Sequence, residues 1–142
     1  MLFHTFASQD DRKAFGGSAF MELQICKQTP GTKLEKILSI ETIAHWKNDS
    51  LYVYIDDMEG FYALYGKIFC DGCYQNGERG IVDCYGVNYY TREQTARIAK
   101  EVAEDKPADF QVLLDWLKTA KKFNGIQPIW AEAVSIPNSG FV

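Results

Sequence analysis

No apolar run in this 142-residue chain approaches the ~20 residues that a membrane-spanning helix needs. The opening Met1-Leu-Phe-His-Thr-Phe6 lacks the basic region, apolar core and small-residue cleavage site of a signal peptide, so a cytoplasmic location is expected. In that compartment the four cysteines read as reduced thiols and not as a disulfide framework. Histidine is scarce, with only His4 and His45 present. Neither lies in a nucleophile or zinc motif: Gly-x-Ser-x-Gly and His-Glu-x-x-His are both absent, and His45 falls on the solvent side of an alternating run. Gly16-Gly17 lacks the flanking strand and helix of a phosphate-binding loop. Positive charge is short as well. With 15 Lys/Arg against 19 Asp/Glu the formal net charge is −4. That argues against nucleic acid as a ligand, because phosphate binding draws on Lys/Arg and counterion release. A basic protein partner fits better, since opposite potentials speed encounter. Repeats, low-complexity tracts and linkers are missing too, so the chain reads as one domain over residues 1–142.

What is present is unevenly placed. The 46% apolar and 24% charged fractions are those of an ordinary globular protein. All eight tyrosines, however, fall between Leu51 and Tyr90. So does the net charge: six Asp/Glu stand against two Lys/Arg there, while the segments before and after balance.

Periodicity gives the elements. Residues 1–19 carry loop chemistry in Gln9-Asp-Asp-Arg-Lys13 and Gly16-Gly17-Ser18, with room for a short opening strand. Phe20 to Gln28 alternates as a half-buried strand, with Met21, Leu23 and Ile25 inward and Glu22 and Gln24 outward. Lys36 to Trp46 alternates again and is expected to pair with Leu51–Ile55 as an antiparallel hairpin. A helix over Met58 to Phe69 follows, with Asp57 as N-cap and a buried stripe of Met58, Phe61, Tyr62, Tyr65, Ile68 and Phe69. Gly80 to Tyr85 reads as a strand. Thr91 and Gln94 have the spacing of a capping box at the start of a second helix. Pro107 suits the first position of a third helix, whose stripe is Phe110, Leu113, Leu114, Leu117 and Ala120, with Asn124-Gly125 as its stop. Ile126 to Val134 reads as a last strand, at a sheet edge because Pro128 cannot donate to a ladder. The order predicts an α+β fold: an antiparallel sheet of about four to five strands with about three helices packed on it.

Cys70-Asp-Gly-Cys73 sits at a helix C-terminus, where the dipole opposes a thiolate, so redox chemistry is not favoured. Cys84 adds a third sulfur, but no histidine or second pair completes a zinc set, and no cofactor is expected. Asp56, Asp57 and Glu59 suit a helix start, and a facing pair of carboxylates for hydrolysis cannot be read from spacing. With Asp71, Glu78 and Asp83 they also furnish an acidic contact surface. Tyrosine supplies large, rigid contact area with a hydroxyl at low entropy cost. Tyr52, Tyr54, Tyr62 and Tyr65 lie on periodic elements and are expected mostly in the core. Tyr74, Tyr85, Tyr89 and Tyr90 lie on loops or strand ends and are the better interface residues.

The run Tyr85-Gly-Val-Asn-Tyr-Tyr-Thr-Arg-Glu-Gln94, with Lys106-Pro-Ala-Asp-Phe110, Leu113-Leu-Asp-Trp-Leu117 and Phe123-Asn-Gly125, resembles small bacterial immunity proteins of contact-dependent toxin systems. The likeness covers roughly residues 60–125. It implies a cytoplasmic, non-enzymatic inhibitor that neutralises a cognate toxin domain, often a nuclease. Steering would then come from Asp56, Asp57, Glu59, Asp71, Glu78 and Asp83, and anchoring from Tyr74, Tyr85, Tyr89 and Tyr90. The alternatives are a small carboxylate- or metal-dependent hydrolase using Cys70, Cys73 and Cys84, or a regulatory interaction subunit.

Overall fold

The alternation around Met21 produces the central strand, β1 (Ala19–Ile25), which pairs antiparallel on one side with β2 (Leu51–Tyr54) and on the other with β6 (Ile126–Glu132). The computed structural model describes residues 1–17, 19–39 and 48–132. Met21, Leu23 and Ile25 join Leu51, Val53 and Ile126 on one face of this sheet and enter the main core. Against them pack α3 (Met58–Tyr65), α4 (Arg92–Asp105) and α5 (Phe110–Ala120), through Phe61 and Tyr65, Ile98 and Val102, and Leu113 and Leu117. Full burial of each such side chain contributes about 1.5–3 kcal/mol, so this face dominates the stability.

The opposite face is covered as well, which corrects the half-buried strand expected from sequence. Glu22 and Gln24 do not face water; each is 1% exposed. Ser50 Oγ donates to Glu22 Oε2 at 2.6 Å. In place of the expected loop, a helix, α1 (Gln9–Phe15), lies over Phe20, Tyr52 and Tyr54. The buried Arg12 guanidinium sits 5.3 Å from the Phe20 ring centroid, and Gln9 donates to the Tyr52 hydroxyl. Ser8 caps α1 by accepting from the Asp11 amide. A one-turn helix, α2 (Leu34–Ile37), covers the far end, where Gln127 Nε2 donates to the Ile37 carbonyl at 2.6 Å. That turn replaces the first residues of the strand expected over Lys36 to Trp46. The rest of that strand, with His45, lies outside the described residues. On the outer edge of β2, His4 and Tyr52 exchange both backbone hydrogen bonds.

A second three-stranded antiparallel sheet is formed by β3 (Gly72–Tyr74), β4 (Arg79–Gly80) and β5 (Asn88–Tyr89), in the order β4-β3-β5. The fold is therefore α+β, with two small sheets and five helices among the described residues instead of one larger sheet and three helices. Isolated bridges Val87↔Ile129 and Tyr90↔Ile126 tie the sheets together along β6. Pro128 falls between these bridges. Its carbonyl accepts from the Asn88 side chain at 3.0 Å, so an amide side chain bridges the ladder where proline has no N–H to give.

Helix ends follow local chemistry. Thr91 and Gln94 form the expected capping box at α4. Asp57 occupies the position before α3 but makes no capping hydrogen bond, because a 3-10 turn over Ile55–Asp57 leads into the helix. Helix α3 stops at Tyr65, short of Phe69, although Ile68 and Phe69 are still fully buried. Pro107 does not open α5; Lys106 and Asp109 take left-handed conformations on either side of it, and the helix begins at Phe110.

Candidate partner-binding surface

Tyrosine hydroxyls explain much of the compositional bias. Five of them donate to backbone carbonyls in irregular segments: Tyr62 to Val82 (2.6 Å), Tyr65 to Ala108 (2.7 Å), Tyr74 to Ile81 (2.6 Å), Tyr89 to Asn124 (2.7 Å) and Tyr90 to Phe69 (2.8 Å). Turns leave carbonyls without ladder partners, and a buried carbonyl left unpaired costs about 1–3 kcal/mol. Tyrosine reaches such groups with an apolar body that also fills the core. Burial pushes Tyr65 and Tyr89 up to about 12 and Tyr90 higher still.

This use removes two of the four expected anchors from the surface. Tyr90 is fully buried and Tyr89 is 7% exposed, so neither presents its ring to a partner. Tyr74 is half-buried, with its ring against Gly80. Tyr85 is different. It is 65% exposed and its ring lies 5.0 Å from that of Trp130, on the last strand of the main sheet.

The loop that carries Tyr85 is built by side chains. Residues 81–85 were expected as a strand, but the ladder ends at Gly80. Asp83 Oδ1 accepts from the Tyr85 amide at 3.0 Å, and the Gly86 amide donates to the Asp83 carbonyl at 3.1 Å. Asn88, fully buried, accepts from the Asp83 amide at 2.9 Å and donates to the Asp83 carbonyl at 2.8 Å. These short side-chain bonds outcompete strand pairing over this stretch. A hydrogen bond from the Trp130 amide to the Gly86 carbonyl, at 2.9 Å, fixes the loop to β6. Ile81, 47% exposed, stands at the start of the same loop. Asn88 and Trp130 were not singled out from sequence; Asp83 and Asn88 flanking Gly86 were the available signal.

Between this loop and the β3–β4 turn lies an open groove of about 430 Å³, lined by Tyr74, Gln75, Asn76, Asp83, Gly86 and Val87. Glu78 sits at the exposed tip of that turn, where Asn76 Oδ1 accepts from its amide. Asp56 and Glu59 are exposed and Asp57 is half-buried. They leave the main sheet at the end where Tyr85 stands, since Tyr54 and Ala131 both pair with Phe20. Asp71 does not join them as a free charge; its carboxylate is paired with Arg97 at 2.6 Å.

The sulfurs remain apart in character. Cys70 is exposed, Cys73 is half-buried, and Cys84 is buried with its thiol pushed up by desolvation. Among the described residues no group of three or more His, Cys, Asp or Glu is arranged to hold a metal ion. Among them, too, no helix is long and apolar enough to cross a membrane. Comparison with known protein families, with curated proteins and with solved structures gave no match for this chain.

Proposed function

We propose that the chain is a protein-recognition module, an immunity protein that binds and neutralises the basic domain of a bacterial toxin. The observation that carries this reading is Tyr85, an exposed aromatic ring held on a loop that Asp83 and Asn88 fix in place. Exposed aromatics on preorganised loops give contact area without paying ordering entropy on binding. Glu78 and Asp83 beside the groove, with Asp56, Asp57 and Glu59 at the same end of the main sheet, add an unbalanced negative field. Such a field would steer a cationic nuclease-type surface toward the loop. The resemblance around Tyr85–Gln94 points the same way.

The test is co-expression with the C-terminal domain of the protein encoded immediately upstream. Co-purification as a stoichiometric complex, with rescue of growth in cells making that domain, supports the proposal. A toxic domain that neither binds nor is neutralised counts against it.

A further inference from the structure

Away from the Tyr85 loop, a second groove of about 490 Å³ runs between β4, the Pro30 turn and the start of α4. Two guanidiniums line it, those of Arg79 and Arg92. Each is oriented by one backbone carbonyl. Arg79 donates to the Asp71 carbonyl at 3.3 Å, the same oxygen that accepts from Gln94 at 2.8 Å, so β4 is held against the first turn of α4. Arg92 Nε donates to the Lys121 carbonyl at 3.2 Å. Among the described residues neither has a carboxylate partner. The contrast with Arg97 is informative, since it takes both the Asp71 and the Glu101 carboxylates at 2.6 Å and leaves Arg79 only the carbonyl.

The charge is local. Lys122 joins through an adjoining cavity of about 230 Å³ that shares Arg92 with the first, whereas among the described residues Glu93 is the one carboxylate lining either cavity. The α4 capping box has already satisfied part of the helix terminus, so the guanidiniums supply most of the positive potential. Planar guanidinium forks match carboxylate and phosphate oxygens two at a time. Leu34 and Tyr89 give the groove apolar walls able to hold a carbon skeleton. Its volume is that of a small-ligand site, within the usual range of roughly 300–1,000 Å³. A long polyanion would meet the chain's net charge of −4 beyond the groove, and a small anion would not.

We propose that this groove binds a small organic dianion, phosphorylated or dicarboxylic, with Arg79 and Arg92 each gripping one anionic group. The site is independent of the Tyr85 surface. Amide and arginine side-chain resonances of ¹⁵N-labelled protein should be followed while pyrophosphate, and separately succinate, is added at constant ionic strength. Saturable shifts of Thr91–Gln94 and of the Arg92 Nε–H are expected with at least one of the two probes. Saturation by pyrophosphate alone assigns a phosphorylated ligand; saturation by succinate alone assigns a dicarboxylate. Arg79→Gln and Arg92→Gln should each weaken binding at least tenfold, with their own spectral changes confined to residues near Asp71, Thr91–Gln94 and Lys121, and Lys100→Gln should have no effect. Shifts that grow linearly with either probe, or that are equal in parent and variants, overturn the proposal. Toxin-domain binding by Arg92→Gln, measured in parallel, should match the parent, so the two sites fail separately.

Discussion

Asn88 should be the most sensitive single position for the loop that carries Tyr85. Its side chain is fully buried and makes three hydrogen bonds, to both backbone groups of Asp83 and to the Pro128 carbonyl. Asn88→Ala removes all three. At about 1 kcal/mol for each buried bond lost, the cost is about 3 kcal/mol. For a chain of this length that lowers the thermal midpoint by roughly 10 °C. Asn88→Asp should fare no better, because a carboxylate can still accept from the Asp83 amide but cannot donate to either carbonyl. Urea unfolding followed by tryptophan fluorescence measures both variants. A loss below about 0.5 kcal/mol for Asn88→Ala would refute the reasoning, since water would then be replacing the whole network.

Further outcomes follow from the same physics. Tyr90→Phe removes one buried hydrogen bond from the Phe69 carbonyl, which keeps the Val82 amide as a donor, and should cost about 1 kcal/mol, whereas Tyr85→Phe, on an exposed ring, should change stability by less than about 0.5 kcal/mol in the same urea assay. Gly125→Ala would place a Cβ 2.0 Å from the Tyr90 carbonyl oxygen at a φ of +98°, and should cost at least about 2 kcal/mol. Gly31→Ala, at φ +89° in open space, should cost about 1 kcal/mol, and urea midpoints of the pair separate contact from backbone strain. Burial raises Tyr65 and Tyr89 to about 12, above their unfolded value near 10, so their contribution is intact below pH 10 and lost as pH rises from 10 to 12. Urea midpoints at pH 9, 10.5 and 11.5 should therefore fall steeply, with the drop reduced in Tyr89→Phe.

Much of the scaffold was legible in the chain because it rests on local patterns. The capping box at Thr91 and Gln94, the α5 stripe and the edge position of Pro128 each depend on residues a few places apart. Helix α1 is equally local, since Ser8 before Asp10 and Asp11, with Gly16 after Phe15, is a cap-to-stop signature, although its charged run has the composition of a loop. The burial of Glu22 and Gln24 could not be read, because their strand alternates normally and only a second layer over that face hides them. The tyrosines mark the limit most clearly. Loop position suggested exposure for Tyr89 and Tyr90, yet their hydroxyl partners lie 35 and 21 residues away and draw both rings inward. Of the acidic residues, Asp71 could not be known to be neutralised, because Arg97 reaches it from another element.

The most direct test of the proposed recognition surface is the affinity of Tyr85→Ala for the upstream toxin domain, measured by calorimetry against the parent protein. Truncating a desolvated aromatic anchor costs about 2 kcal/mol, so binding should weaken roughly thirtyfold with no change in thermal midpoint. A variant that binds as tightly as the parent would contradict the assignment of this loop as the binding surface.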